Sequence, residues 1–480
     1  RSFKRIEFSA IRKEDIINAI KNPREINQDL VNAAITRRFL DRFFGYKISP
    51  ITKRRTIFGN SAGRVQSPTL KILCEKEKEI DLFIEKEFWE LDITLNDKQN
   101  NTVSCDLVSI LNKKFNKLSV ENKVQAENLK ERISNSKFLV DSIVKREKRR
   151  QPYSPYSNSL LLQDASSKLG FSPKYTNAIA QQLKDGDGLG GLGALITYHR
   201  TDSNRMKNSE VLKLRELISS TIGEDYVSEK EIIYKEKSKF VQQGHEAVTP
   251  TQLNRKPDEI RDKLSPDQFK LYDLIWKRTI ASQMKPSKSL ETLYYLKSED
   301  FLLKASGSIK IFDGFKKIYD FSDSKDESQI LPNLEKDEKL EVKKLGIKQN
   351  FTKPPNRYSE AGLIKKLEEL GIGRPSTYVS IFTKLEKNSY INIKNKSLIP
   401  TGKGKILVKF LDGFFDKFVD YGFTADLEEQ LDLITESKLD WKSTLNKFLE
   451  ILNQTVNQVE KQSITQVIDK INENSSEILK

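Results

Sequence analysis

The residues best equipped for chemistry stand together in LITYHRTDS, residues 195–203, where an apolar run gives way to Tyr198, His199 and Arg200. A free phenol titrates near pH ~10, so at neutrality it is a weak nucleophile unless something favours its phenolate. On an extended chain Arg200, two residues on, points to the same side as Tyr198. A guanidinium there could favour the phenolate and grip a phosphate through two parallel hydrogen bonds. It could also offset the charge that grows on the equatorial oxygens during an in-line displacement. His199 falls on the opposite side, and Asp202 could orient the arginine. Taken alone, a Tyr-x-Arg pair is most often an ordinary surface pair, so these residues need company before they mean catalysis.

Other stretches could supply that company. The chain's second histidine, His245, lies in VQQGHEAVTPT; positions 246–249 read EAVT, so HExxH is absent and a hydrogen-bonding histidine is the better reading. In SAGRVQSPTLKIL, residues 61–73, small residues allow close backbone approach. There Arg64 and Gln66 can bond a phosphate or a base edge ahead of an apolar helix. TRRFLDR, residues 36–42, sets Arg38 and Arg42 one helical turn apart, with Arg37 and Asp41 as a matching pair alongside. Surface salt bridging is the plain alternative for both stretches. GLGGLG at 188–193 matches the dinucleotide fingerprint, but it follows a helical pattern and precedes an apolar strand-like run, the reverse of what that fingerprint requires. It reads as a glycine-rich turn.

The elements that must hold these groups fall into four textures. Residues 1–80 carry apolar positions at helical spacing. FWELDITL at 88–95, KFLVDSIVKRE at 137–147 and LYYLKSEDFLLKASGSI at 293–309 alternate like strands. Between the strand zones lies a helical stretch, about 155–284, so one domain's sequence interrupts another's. Lys/Glu-rich residues near 323–345 read as an exposed connector, and 455–480 as a polar helical tail. Within 357–401, Ser359 suits an N-cap, Gly371 a helix stop and Pro375 the first turn of a second helix; two short strands follow. That helix–turn–helix with a wing is a DNA-docking layout whose Arg374, Ser376 and Thr377 would sit at a phosphate-attracting helix N-terminus.

The bulk composition agrees with a polyanion partner. The 480 residues suggest roughly three domains, and the formal net charge of +15 suits phosphate neutralisation, although a lysine-rich composition alone could produce it. Cys74 and Cys105 form no CxxC pair, which excludes a zinc ribbon and points to a reducing compartment. No apolar stretch approaches the ~20 residues of a membrane span.

SAGRVQS, LGFSPKYTNAIAQQL, LITYHRTDS, GHEAVTPT, YSEAGLIKKLEELGIGRPSTY and FTADLEEQLD, in this order, resemble the type IA DNA topoisomerases over residues 5 to 440. GIGRPSTY is similar to the bacterial topoisomerase I branch. The resemblance implies a mixed α and β, multidomain toroidal core: helical domains with winged-helix-like elements, plus a β-rich arch interrupted by the tyrosine-bearing domain. The expected division is 1–82 and 349–480 for the two parts of the helical DNA-binding domain. The arch takes 83–150 and 286–348, and the tyrosine-bearing domain takes 151–285. Tyr198 matches the nucleophile that makes a 5′-phosphotyrosine bond, Arg200 the arginine on the scissile phosphate, and His245 the active-site histidine. Arg37, Arg38, Asp41, Arg42, Ser61, Arg64, Gln66, Arg374 and Thr377 match positions along the single-strand groove, and Asp202 is taken with them. The implied activity is ATP-independent relaxation of negative supercoils by a monomer in the bacterial cytoplasm, at the nucleoid.

The sequence departs from the family in two ways. No DxDxE cluster occurs, and residues 1–10 resemble the segment following the Toprim domain, so Mg2+ and its ligands would belong to a Toprim domain supplied in cis or in trans. Zinc ribbons are absent, and no zinc is expected. At position 199 the branch more often has Met. The competing reading is a clamp that binds single-stranded DNA without cutting it.

Overall fold

The computed structural model describes residues 3–8, 11–56, 61–186, 188–235, 246–321, 329–463, 465–469 and 471. Its architecture is mixed α and β, organised around three apolar clusters. The first is helical. Helices α1 (Lys13–Lys21), α2 (Gln28–Thr56) and α3 (Gln66–Asp81) precede the sheet in sequence. On α2 the residues Leu40, Phe44, Ile48 and Ile51 recur at helical spacing and are buried. They face a cluster shared with α3 and with residues beyond 360. The arginines of TRRFLDR are thereby left to the other faces of α2.

The second cluster belongs to a single large sheet. Its strands are β1 (Glu87–Asn96), β2 (Thr102–Ile110), β3 (Lys113–Lys114) and β4 (Phe138–Arg150), then β5 (Ser287–Lys297), β6 (Phe301–Phe312) and β7 (Lys339–Phe351). The order is β1-β7-β4-β5-β6-β2-β3, and a further β1–β2 pairing returns the circuit on itself. Helix α4 (Lys123–Ser134) covers it through Ile133. β7 corrects the connector reading. Residues 322–328 lie outside the described residues, but Lys339 and Leu340 pair with β4, and from Glu341 to Phe351 the chain pairs with β1. Leu340 is buried while Glu341 is exposed, so the charged residues sit on the outward face of a strand rather than in a loop.

The third cluster lies between the two sheet segments in sequence. It is built on α5 (Asn158–Asp164), α6 (Pro173–Asp185), α7 (Asn208–Thr221) and α8 (Pro266–Ala281). The crossing from β4 into the helices and the connection after β6 meet at one buried polar knot. Tyr156, just after β4, and Tyr319, just after β6, both donate to Asp164 Oδ2, at 2.8 and 2.6 Å. Lys168 and Arg278 reach the same oxygen at 2.6 and 3.2 Å. Arg278 is 5% exposed, and a buried guanidinium is tolerated because this carboxylate and the Ser154 carbonyl (2.6 Å) answer its donors.

Beyond the sheet come α9 (Glu360–Glu369) and α10 (Tyr378–Lys387), the wing strands β8 (Ile391–Lys394) and β9 (Ser397–Pro400), then α11 (Gly402–Phe414), α12 (Asp416–Val419), α13 (Tyr421–Thr435) and α14 (Trp441–Glu460). Ser359 caps α9 by accepting from the Gly362 N–H at 3.1 Å. Gly371 has φ +71°, the left-handed stop that glycine allows. The helix–turn–helix and wing therefore form where the local signals put them. α10 starts only at Tyr378, so Pro375 sits in the turn before it. The polar tail is helical through Glu460 but not wholly solvated, since Val456 and Val459 of α14 are buried; residues 472–480 lie outside the described residues.

Candidate active site

Tyr198 is presented by backbone fastened on two sides. α6 ends at Gly186, φ +80°, where a Cβ would come within 2.7 Å of the Gly193 backbone. Glycine is required there because the turn folds back on itself. The Leu195 N–H then bonds to Leu183 O of α6 at 2.8 Å. Thr197 N–H donates to Thr249 O at 2.9 Å, and its hydroxyl donates to Ala247 O at 2.7 Å. On the far side Asn158 donates through Nδ2 to His199 O (2.9 Å) and through its backbone N–H to Thr201 O (2.8 Å). The expected strand reduces to an isolated bridge, Ile196 with Pro250, because side chains and single ladder bonds replace a continuous partner.

That frame sorts the side chains. Thr197, His199, Thr201 and Ser203 are buried, whereas Tyr198 is 39% exposed and Arg200 is exposed. Tyr198 and Arg200 thus share the open side and His199 faces inward. Neither ring nitrogen of His199 has a hydrogen-bond partner. Burial, with Arg200 and Lys184 nearby, pushes its imidazole down to about 4, so it is neutral at physiological pH. Asp202 lies within electrostatic reach of Tyr378 at the start of α10. His245 lies outside the described residues; its neighbour Glu246 pairs with Lys207 at 2.7 Å.

Three of the arginines expected along the groove, Arg37, Arg64 and Arg374, gather around carboxylates on α13. Arg64, 3% exposed, reaches Glu428 Oε1 at 2.7 Å and Asp41 Oδ1 at 2.9 Å. Arg37 donates to Glu428 Oε2 at 3.0 Å, and Arg374 to Asp432 Oδ2 at 2.5 Å. The matching pair expected within α2 is therefore not made: Arg37 and Asp41 each bond to a residue from another element, since buried Glu428 and Arg64 reward pairing more than a solvated i,i+4 contact does. Burial pushes the Glu428 carboxyl up, but Arg64, Arg37 and Arg374 outweigh it and hold it down to about 2. Arg64 Nη1, Arg37 Nε and Gln66 Nε2 remain buried donors without a partner. Arg38 and Arg42 are exposed, Arg42 lying 5.5 Å from the Tyr46 ring centroid. Ser61 exchanges backbone hydrogen bonds with the Tyr390 hydroxyl, both 2.9 Å, and the Thr377 hydroxyl donates to Arg374 O at 2.8 Å.

The sequence reading passed over Glu428 and Asp432. Their signal was available: two acids four residues apart on the face of α13 that also buries Leu427 and Leu431. Among the described residues no group of three or more His, Cys, Asp or Glu could hold a metal ion, so these residues do not fit a Mg2+ site. No described helix is long and apolar enough to cross a membrane.

The sequence and the fold both have counterparts among known proteins. The family described as DNA topoisomerase matches residues 25–446, and the chain belongs to that family. It is 42% identical to DNA topoisomerase 1 of Rickettsia felis over 476 residues, 98% of this chain and 61% of that protein. It is 40% identical to DNA topoisomerase 1 of Campylobacter jejuni over 445 residues, 92% and 63% of the two. The chain thus spans about three fifths of the length of these curated relatives. The crystal structure of full-length topoisomerase I from Thermotoga maritima superposes with a TM-score of 0.81 at 36% identity, covering 96% of this chain and 74% of that one.

Proposed function

We propose that this chain is the gate-forming core of a type IA DNA topoisomerase, an isomerase that relaxes negative supercoils without ATP. The observation that carries this reading is the rigid presentation of Tyr198 and Arg200 on one open side, between inward-facing neighbours. The Tyr198 oxygen attacks a phosphodiester of single-stranded DNA; a P–O bond to the phenol forms as the bond to the 3′ oxygen breaks. The leaving 3′ hydroxyl regains the proton that the phenol lost. Arg200 holds the phosphate and offsets its growing charge, and His245 assists. Because one phosphate ester replaces another, the link can be reversed after a strand passes through the break.

Arg37, Arg38, Asp41, Arg42, Ser61, Gln66, Asp202, Arg374 and Thr377 would line the strand's path. The unpartnered donors on Arg37 and Gln66 support that role. Arg64 would act there chiefly by holding Glu428 and Asp41 in place. The chain would divide along its three apolar clusters into a helical DNA-binding domain, a β-rich arch and a tyrosine-bearing domain arranged as a torus, working as a monomer in the cytoplasm at the nucleoid. A Toprim domain, in cis or trans, would bring Mg2+ and its ligands.

Tyr198→Phe in the Toprim-complemented protein tests the assignment. It is expected to abolish covalent attachment to DNA while leaving single-strand affinity within about twofold, as removal of one hydroxyl outside the binding contacts should. An adduct that survives the substitution overturns the nucleophile.

A further inference from the structure

We propose that Lys184 is a second phosphate-binding cation of the tyrosine site, meeting the scissile phosphate from the side of α6 while Arg200 meets it from the tyrosine's own segment. The proposal rests on the reading of Tyr198 as nucleophile.

A lysine in the last turn of a helix ordinarily serves the helix dipole. Lys184 is held for something more specific. Its Nζ stands 6.0 Å from the centroid of the Tyr198 ring. It is also bonded to Asp185 Oδ1 at 2.8 Å, and Asp185 is gripped in turn by Gln181 Nε2. The main chain beneath it is tied to the nucleophile's segment, because Leu183 O accepts the Leu195 N–H. Gly186 admits no side chain, so the turn between them is locked as well. The Lys184 side chain is 26% exposed, enough for a phosphate to approach.

The charge count gives this placement its purpose. A phosphodiester carries one negative charge and acquires a second as the phenolate attacks in line. Arg200 supplies one compensating charge and Lys184 the other, so the site's positive charge matches the transition state better than the ground state. In the absence of DNA, Asp185 keeps the ammonium from drifting; an arriving phosphate oxygen replaces that carboxylate as its partner.

The test compares Lys184→Gln and Lys184→Arg with the unsubstituted protein. The first readout is the rate of adduct formation at saturating single-stranded DNA, in the Toprim-complemented mixture. Lys184→Gln is expected to slow it at least tenfold with equilibrium binding changed much less, and Lys184→Arg to restore most of the rate. The second readout needs no cleavage: in a Tyr198→Phe background, Lys184→Gln should reduce the salt slope of single-strand affinity by about 0.7, the loss of one phosphate contact. Thermal unfolding of each variant separates these effects from misfolding. An unchanged salt slope together with an unchanged rate, or a rate loss that arginine does not rescue, overturns the proposal. An adduct persisting in Tyr198→Phe instead removes the nucleophile, and the salt slope still decides Lys184.

Discussion

His199 shows how the setting of Tyr198 is built residue by residue. Both imidazole nitrogens are buried without partners, and an unmade hydrogen bond in the interior costs about 1–3 kcal/mol. His199→Met keeps the volume and removes the polar atoms, so the unfolding midpoint should rise; a fall would mean that the imidazole is bonded in solution. The same substitution tests a pH dependence. Above about pH 6.5 the ring is neutral folded and unfolded alike. As pH drops from there toward 4, the unfolded chain takes up a proton that the folded one, pushed down to about 4, refuses. Stability is therefore lost over that window, and His199→Met should flatten that part of the profile. The inward turn of His199 and the shared side of Tyr198 and Arg200 were legible from strand alternation alone. The partners of Arg37 and Asp41 were not, because they come from residues 428 and 64, which no local pattern brings near.

At the level of elements, α2, α13, the turn before α10 and the approach to α3 are joined by the Arg64–Glu428–Arg37 and Arg374–Asp432 pairs. Arg64→Ala leaves Glu428, 2% exposed, short of its nearest cation, and breaking one side of a buried pair typically costs about 3–5 kcal/mol. The denaturation midpoint should drop accordingly, with weaker DNA binding following from the loosened groove. An unchanged midpoint would return Arg64 to the role of a simple phosphate ligand. The winged helix–turn–helix was readable because its caps are local: Ser359 and Gly371 act within a few residues. Strand β7 was not, since its charged outer face imitates a linker and its hydrogen-bonding partner, β1, lies some 250 residues earlier.

Across the whole molecule, the tyrosine-bearing helices are tied to the end of β6 through the Asp164 knot and meet the helical cluster of α2 and α9 at a second joint. Ser159 donates to Glu368 at 2.7 Å, Leu162 of α5 is buried in the helical cluster of α2 and α9, and Arg12 reaches Thr251 O at 2.9 Å. That joint also includes the Arg12–Glu210 and Lys207–Asp15 ion pairs, and polar contacts of this kind would suit the opening of the proposed gate. Nesting of helical sequence between sheet segments revealed this layout; the contact residues became visible only in the fold. The central claim is the covalent chemistry at Tyr198, and one labelled oligonucleotide tests it. A single strand labelled at its 3′ end is incubated with this chain, with and without a Toprim fragment plus Mg2+, and then denatured. The account predicts label on the protein only in the Toprim mixture, the mark of a 5′-phosphotyrosine link. Tight binding with no label on the protein in either mixture would contradict it and leave a clamp that holds DNA without cutting it.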